Sequence, residues 1–360
     1  MILYMEYLAE GKRGGEIYHS HLYKFLSDRF KDLFPKQLGK FPQNLKNPIK
    51  HMIYKLSLVK EFHPDLVIVD ISSAFRSIAA VRWMKKRKRN ILVIVQGERL
   101  SFRYRFIFMK WLVRWFERYL LKNADILLAN SQYIADASKK YTGRRIPIVI
   151  AYPGLEYKPV PEQSTYSSDT NMQKPVNLLF IGQCTYRKGA AFLIEAVGIL
   201  KDMNIHLNIA GEYFKDDKYY KEIESIIKKY DIKDKVAFRG FLNRSELTEL
   251  YIKSDIFLSP SLAEGYGMVL AEALCYGLPV IASRVGAIPE MIDDGINGIL
   301  VNPGDSHNLA DGIRRLVEDV DLRNSMSQAN LEKAKTLPTW DDFDKVLEEQ
   351  LAPLIEEMIK

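Results

Sequence analysis

The sequence predicts an α/β protein with two doubly wound parallel sheets that face one another across a cleft. Short, continuous apolar runs alternate with helix-length segments, as expected of buried parallel strands joined by crossover helices. This rhythm occurs twice, on either side of a polar stretch rich in Pro, Ser and Thr, "KPVPEQSTYSSDTNMQKP". The 360 residues are also too many for one ordinary core and fit two domains.

The polar stretch sets the expected domain boundaries. We expect a first domain over residues 1–154, a linker over 155–175 and a second domain over 176–337, with a C-terminal helix, about 338–360, packed back on the first domain. The expected strands of the first half are "ILYMEYL", "DLVIVDI", "NILVIVQG", "ADILLANS" and "IPIVIAYPG". Those of the second half are "VNLLFIGQ", "IHLNIAG", "KVAFRGF", "DIFLSPS", "PVIAS" and "GILV".

Composition excludes several classes of protein. A hydrophobic share of 47% and an aromatic share of 11% indicate a folded globular chain rather than a disordered one. Cys184 and Cys275 are far apart and match no metal-ligand spacing, so we expect reduced thiols in a cytoplasmic protein. The first residues lack the order of a signal peptide, and no long uncharged apolar segment predicts a membrane-spanning helix.

The charge is unevenly distributed. Residues 1–150 contain 29 Lys and Arg against 12 Asp and Glu, whereas the remainder has an excess of ten acidic residues. A basic half joined to an acidic half predicts that the first half meets something anionic, such as a phosphorylated substrate, an anionic lipid or nucleic acid. Nucleic acid is disfavoured, because the aromatic residues lie in helical segments and not on an exposed strand platform.

Two acids stand out in the nearly uncharged stretch "SLAEGYGMVLAEALCYGLPVIAS". Glu264 lies beside a Gly-Tyr-Gly turn, and Glu272 lies in the short apolar helix that the turn begins. The turn leaves backbone N–H groups free at Gly267 and Met268, which favours an anion such as phosphate. The acids are eight positions apart and suit hydroxyl-bearing groups on either side of a diphosphate. The alternative is a surface helix with two solvated acids.

A second turn carries cations. "LLFIGQCTYRKGAAFLIEA" predicts a strand, a turn with Arg187 and Lys188, and a helix that Gly189 opens. At the carboxyl end of a strand, this turn is a plausible clamp for a diphosphate. By itself, Lys188 is equally well a solvated loop charge.

These motifs resemble glycosyltransferase family 4, whose members are retaining, nucleotide-sugar-dependent enzymes with the GT-B fold of two Rossmann-like domains. The resemblance lies in the Glu-x7-Glu pair of "EGYGMVLAE", in the "RKG" turn, and in "RVGAIPEMIDDGINGILVNPGD". It is most specific over about residues 176–315, and in the first half it depends on "GGEIYH", "ADILLANS" and "YPG".

The resemblance implies a role for each residue of the site. Glu272 would bind the ribose hydroxyls, and Glu264 would contact the donor sugar beside the backbone of Gly265, Tyr266 and Gly267. Met268 and Val269 would offer N–H groups to the diphosphate, and Lys188 would neutralise it. The remaining expected donor-binding positions are Gly15 at the phosphates, Gly182 at the end of the "FIG" strand, and Gly240 and Phe241 at the base.

Three positions depart from the family pattern. Gln183 stands where the family has an arginine after the "FIG" glycine, and we expect Arg187 to supply that charge. Gln96, Gly97 and Glu98 replace one family histidine, and Ser72 and Ser73 replace another. His19 matches the family in "GGEIYH", although a lone helical histidine is more often structural.

We expect transfer with retained anomeric configuration and without a metal. No Asp-x-Asp motif stands at a strand end, so the helix terminus at Met268, with Arg187 and Lys188, would stabilise the leaving diphosphate. No cofactor is expected beyond the nucleotide-sugar donor. A non-catalytic nucleotide-sugar-binding subunit and a nucleotide-sugar epimerase of the same fold remain alternatives.

The acceptor side is predicted from a basic, aromatic segment, "SFRYRFIFMKWLVRWFERYLLK". Lys110, Arg114, Arg118 and Lys122 form one helical stripe, with Phe108, Trp111, Trp115 and Tyr119 alongside. The wide apolar arc favours a helix packed on the sheet. A helix on an anionic membrane surface is the alternative, with a glycan or lipid-linked acceptor at the inner face of the cell membrane.

Overall fold

The computed structural model describes residues 1–5, 14–33, 48–96, 107–155, 174–214 and 217–360. The chain divides into two compact units, Met1–Gly154 with Pro338–Lys360, and Leu155–Leu337. Each unit contains one parallel sheet with helices, which confirms the predicted α/β class. All eleven apolar runs that the sequence analysis named contain a strand.

The first unit has five parallel strands in the order β1-β2-β3-β4-β5 among its described residues. Successive strands pair in register, as Val69 does with Val93. The elements up to Gly154 are β1 (Ile2–Tyr4), α1 (Gly14–Arg29), α2 (Pro48–Phe62), β2 (Leu66–Asp70), α3 (Ala74–Lys86), β3 (Asn90–Val95), α4 (Ile107–Lys122), β4 (Ile126–Ala129), α5 (Gln132–Lys139) and β5 (Ile148–Ile150).

Within the residues that the structure describes, the second unit has six parallel strands in the order β11-β10-β9-β6-β7-β8. Its elements are β6 (Val176–Ile181), α6 (Ala190–Ile199), β7 (Ile205–Ala210), α7 (Lys218–Tyr230), β8 (Val236–Gly240), α8 (Arg244–Ile252), β9 (Ile256–Ser259), α9 (Met268–Cys275), β10 (Val280–Ser283), α10 (Ile288–Met291), β11 (Gly298–Val301), α11 (Ser306–Glu318) and α12 (Val320–Ala334).

The last helices of the chain belong to the first unit. They are α13 (Trp340–Val346) and α14 (Ala352–Ile359), joined by a π-helical turn at Leu347–Leu351. The ring of Phe343 packs edge-on against Tyr18 of α1, with centroids 5.1 Å apart. The side-chain amide of Asn90 donates to the carbonyl of Met358 at 2.7 Å. These contacts join α1, β3 and the end of the chain in one unit.

The central strands of the second sheet are buried on both faces. Leu178 and Phe180 of β6 and Ile256, Phe257 and Leu258 of β9 are almost inaccessible to solvent. Residues of both faces must then be apolar, because helices cover the two sides of a parallel sheet. This burial explains why the sequence shows continuous apolar runs and not the alternation of a half-exposed strand.

The strand order of the second sheet reverses between β6 and β9. These two strands are neighbours, with Leu178 paired to Ile256 and Leu179 to Phe257. From β6 the chain proceeds outward to β7 and β8, and from β9 it proceeds to β10 and β11 on the other side. Such a reversal leaves a crevice at the carboxyl ends of the two strands, where open α/β sheets bind ligands.

The turns that follow β6 and β9 are in backbone contact. The amide of Leu262 donates to the carbonyl of Arg187 at 2.7 Å. Gly189 has a φ of 74°, and a Cβ atom placed on it would lie 2.0 Å from the carbonyl oxygen of Pro260. Only glycine fits this position, because a side chain would need both a left-handed backbone and a displaced neighbouring turn.

We expect Gly189→Ala to reduce the free energy of unfolding by about 3 kcal/mol, from the left-handed conformation and the clash together. Gly295→Ala is the matched control, since Gly295 has a φ of 81° and open space around its Cα. The control should cost only about 1 kcal/mol. Urea denaturation measures both, and equal losses in the two variants would contradict the close approach of the turns.

Candidate active site

Glu264 lies at the junction of the turns after β6 and β9. Its Oε2 atom accepts a hydrogen bond from the Lys188 ammonium at 2.6 Å and one from the Ser261 hydroxyl at 3.3 Å. The guanidinium of Arg187 is 3.7 Å from the same oxygen and donates to the carbonyl of Ala263 at 2.9 Å. The side chains of Lys188 and Glu264 are only 15% and 12% exposed, so water screens this pair weakly.

The surroundings of Glu264 favour its charged form. Burial by itself would raise the pKa of the carboxyl group. The charges of Lys188 and Arg187, with the hydrogen bonds from Lys188 and Ser261, outweigh burial and hold the pKa below its ordinary value of 4.5. Glu264 is therefore an anion at neutral pH, with hydrogen-bond acceptors and no donor to offer.

Glu272 is the second acid, on α9, and its carboxylate is held on both oxygens. The Arg244 guanidinium donates to Oε1 at 3.0 Å, and the Tyr251 hydroxyl donates to Oε2 at 3.0 Å. The side chain of Glu272 is 17% exposed. Neither acid is a solvated surface group, which was the alternative interpretation of the sequence.

Tyr251 is itself fixed by its neighbours. Its ring stacks on Tyr276 with centroids 4.6 Å apart and an interplanar angle of 8°. Its hydroxyl oxygen also lies 3.2 Å from the carbonyl oxygen of Val269, a longer contact than the 3.0 Å to Glu272. Burial and then the charge of Glu272 raise the pKa of Tyr251 well above its usual value of 10. The phenol therefore stays protonated and remains a donor.

Helix α9 begins between the two acids. Gly267, at its N-cap, has a φ of 99° and provides no side chain to accept from the first amides of the helix. The amide of Leu270 is the first that bonds back to the carbonyl of Gly267. Met268 and Val269 therefore begin a helix whose amide end has no side-chain cap, which is an arrangement suited to an anion.

Three other predicted donor-site positions, Gly182, Gly240 and Phe241, lie along the same edge of the second sheet. Gly182 follows β6, and its amide donates to the carbonyl of Ala210 at 2.8 Å. A Cβ atom on Gly182 would lie 3.7 Å from the Lys188 side chain. Gly240 ends β8, and its carbonyl accepts from the amide of Gly211 at 2.7 Å. Phe241, which comes next, is exposed.

Gln183 faces an acid that the sequence analysis did not name. Its side-chain amide donates to Glu212 at 3.2 Å, and Glu212 comes directly after Gly211, the glycine that follows β7. The strand–Gly–Glu pattern in "IHLNIAGE" is the signal that could have identified it. The position where the family has an arginine is therefore paired with a carboxylate, and the cations beside Glu264 are Arg187 and Lys188.

Arg244 and Tyr251 were also missed. The capping box of Asn243 and Glu246 marks the start of α8 and is readable in the sequence. No local pattern, however, connects α8 with an acid more than twenty residues further along the chain. The two segments meet because α8 and α9 lie close together in the fold, which sequence spacing does not reveal.

Gly15 and His19 lie in the first unit. Gly15 is in the first turn of α1. His19 Nδ1 is 2.5 Å from the Tyr4 hydroxyl, and its Nε2 is 3.3 Å from the carboxylate of the buried Asp70. Both ring nitrogens are thus engaged, which favours the structural interpretation of His19. Gly97 and Glu98 lie outside the described residues.

Over the described part of the chain, no three His, Cys, Asp or Glu side chains come together as metal ligands. Within the same residues, none of the helices has both the length and the hydropathy to cross a bilayer.

Two family models match this chain. The model described as "Glycosyl transferases group 1" matches residues 164–333, and "Glycosyltransferase Family 4" matches residues 17–158.

Curated relatives match over part of their length. An "Uncharacterized 41.2 kDa protein in cps region" of Klebsiella pneumoniae is 30% identical over 198 residues, or 54% of this chain and 52% of the relative. The D-inositol 3-phosphate glycosyltransferase of Corynebacterium glutamicum is 29% identical over 235 residues, 62% of this chain and 56% of the relative. The chain thus spans about half the length of the curated relatives it matches.

Among solved structures, Anabaena Alr3699/HepE in complex with UDP and glucose aligns with a TM-score of 0.74 at 20% identity. The alignment covers 98% of this chain and 99% of that one. This similarity establishes the GT-B fold of two Rossmann-like domains. The two family models, which together match residues 17–158 and 164–333, show that the chain belongs to the group 1 and family 4 glycosyltransferases.

Proposed function

We propose that the protein is a retaining glycosyltransferase that moves a hexose from a nucleotide-diphosphate donor to an acceptor hydroxyl. The observation that carries the proposal is the arrangement at the strand reversal of the second sheet. Two carboxylates, each held by a cation, flank the uncapped amide end of α9. Carboxylates suit sugar hydroxyls and repel phosphates, whereas amides and Lys188 suit the diphosphate between them.

Each part of the donor then has a proposed partner. Glu272 accepts from the ribose hydroxyls, and Glu264 with the backbone of Gly265, Tyr266 and Gly267 contacts the donor sugar. The exposed ring of Phe241, beside Gly240, offers a surface on which a base can stack. The solved relative Alr3699/HepE, which holds UDP and glucose, supports a nucleotide sugar as the ligand class.

The chemistry proposed for this site is stabilisation of the leaving diphosphate. As the bond from sugar to phosphate breaks, negative charge grows on the phosphate oxygens. The amides of Met268 and Val269 and the charges of Lys188 and Arg187, which the turns hold beside the start of α9, would stabilise that charge. We propose that the acceptor hydroxyl attacks from the face that the phosphate leaves, and that no metal or further cofactor takes part.

Transfer should depend steeply on Lys188. We expect Lys188→Met to lower kcat by about 10²- to 10³-fold, because a preorganised charge at the leaving group is lost. Lys333→Met is the control. Lys333 pairs with Asp293 at 3.4 Å, and neither residue belongs to the turns that carry Lys188 and Glu264. Transfer of labelled sugar from uridine, guanosine and adenosine diphosphate sugars to oligosaccharide and lipid acceptors measures both, with and without EDTA.

The products of that assay separate the alternatives. Retention predicts the donor's anomeric configuration in the product, as read by NMR, and an inverted linkage would contradict it. Binding of donors with no transfer to any acceptor would indicate a non-catalytic subunit, and a free epimerised sugar would indicate an epimerase. Activity lost in EDTA and restored by manganese would overturn the metal-free mechanism.

We further propose that α4 binds the first unit to an anionic membrane surface, where a lipid-linked acceptor would lie. One face of α4 packs in the core through Leu120 and Leu121. On another face Trp111 and Trp115 are 62% and 47% exposed, although large apolar side chains are usually covered. Arg114, Arg118 and Lys122 are exposed with them. The side chains of Phe108 and Lys110 lie outside the described residues.

Removal of both tryptophans should weaken binding to vesicles that contain phosphatidylglycerol by about tenfold or more, because each indole buries a large apolar area at the interface. Phe214→Ala, which removes an exposed ring from the second unit, should leave binding unchanged. Cosedimentation at low and high salt measures the affinity. Equal binding of the wild-type protein to neutral and anionic vesicles at low salt would contradict the proposal.

A further inference from the structure

The carboxylate of Glu272 is held by two residues of a single helix. Arg244 opens α8 and donates to Oε1, and Tyr251 lies seven residues later and donates to Oε2. Positions seven apart are two turns apart on the same face of a helix, so α8 presents both donors to α9. Each oxygen of Glu272 thus has its own donor.

Other residues hold the side chains of Arg244 and Tyr251 in place. The start of α8 is closed by reciprocal hydrogen bonds between Asn243 and Glu246, which set the position of Arg244. Tyr251 is buried and stacks on Tyr276, whose hydroxyl is 3.2 Å from that of Thr248. The plane of the Glu272 carboxylate is consequently defined by two anchored groups and does not depend on a ligand.

The hydrogen-bond capacity of a carboxylate then determines what Glu272 can take. Two oxygens accept about four hydrogen bonds, two on each. Arg244 and Tyr251 use one on each oxygen, which leaves a further acceptor position on each. Two neighbouring hydroxyl groups supply one donor to each oxygen. A vicinal diol therefore matches this carboxylate, and a single hydroxyl leaves one oxygen of the carboxylate without its second donor.

We propose that Arg244 and Tyr251 are positioning residues that set both oxygens of Glu272 to receive the 2′- and 3′-hydroxyls of the donor's ribose. The protein would then discriminate ribonucleotides from deoxyribonucleotides through α8. This inference rests on the proposed function, because it takes the ligand of Glu272 to be a nucleoside diphosphate. It adds two residues that touch no ligand and act through the orientation of the acid.

The test compares how tightly the wild-type protein and its variants bind ribose and deoxyribose forms of the same nucleotide. Calorimetric titration of the full chain with uridine, guanosine, adenosine and cytidine diphosphates identifies the best binder, and its 2′-deoxy and 3′-deoxy forms follow. The wild-type protein should bind each deoxy form about tenfold or more weakly, because a hydrogen bond to a charged group is lost. In Tyr251→Phe and Arg244→Gln the ratio of the dissociation constants of the deoxy and ribose forms should fall towards about twofold. The change should come mainly from weaker binding of the ribose form.

Matched controls separate positioning from general structural support. Tyr230→Phe removes one tyrosine hydroxyl at the end of α7, where it accepts from the Lys229 ammonium at 3.4 Å, so the ratio should stay at the wild-type value. Lys253→Met removes a cation directly after α8 that pairs with exposed Glu249, and it too should leave the ratio unchanged. Arg244→Lys keeps the charge without the planar fork and should restore only part of the discrimination.

The outcomes bear differently on the two proposals. If Tyr251→Phe and Arg244→Gln weaken ribose and deoxyribose forms equally, the residues have only a structural role and the inference is wrong while the proposed function stands. A wild-type protein that binds both forms equally overturns the inference and the proposed ribose contact of Glu272, while the proposed glycosyl transfer stands. If no nucleoside diphosphate binds, the proposed function fails and this inference fails with it.

Discussion

The buried ion pair between Lys188 and Glu264 connects the two central strands of the second sheet at their carboxyl ends. Lys188 follows β6 and Glu264 follows β9, and these strands are neighbours only because the strand order reverses between them. Gly189, which has no side chain, lets its turn pack directly against the backbone of Pro260 in the other turn. An ion pair this well shielded from water is costly to separate, so it holds the turns in a single arrangement. The start of α9 and the position of Glu272 follow from that arrangement.

The distribution of charge gives the site its chemical character. Acids lie at both ends and positive potential lies between them, from Lys188, Arg187 and the first amides of α9. The cations of the site are paired with the acids. A bound diphosphate would offer Lys188 a second anion, and a sugar hydroxyl would offer Glu264 a neutral donor in exchange. The pairing thus keeps the buried charges compensated.

Most of the fold could be predicted from the sequence, because parallel strands buried on both faces leave continuous apolar runs that need no tertiary information to recognise. The turns at Lys188 and Glu264 could be predicted for a similar reason, since glycine and charge interrupt those runs at strand ends. Arg244 and Tyr251 could not be assigned to the site. Each belongs to a helix of ordinary composition, and its proximity to Glu272 is set by helix packing. The exposure of Trp111 and Trp115 was likewise undetermined, because an amphipathic helix does not reveal which of its aromatic residues face the core.

A crystal structure of the protein with its best-binding nucleotide sugar tests the central claim most directly. The account predicts diphosphate oxygens within about 3.2 Å of the Met268 amide and the Lys188 ammonium, with one sugar on each acid. A nucleotide sugar bound elsewhere on the chain, with the pair of Lys188 and Glu264 intact and the start of α9 facing only solvent, would contradict it.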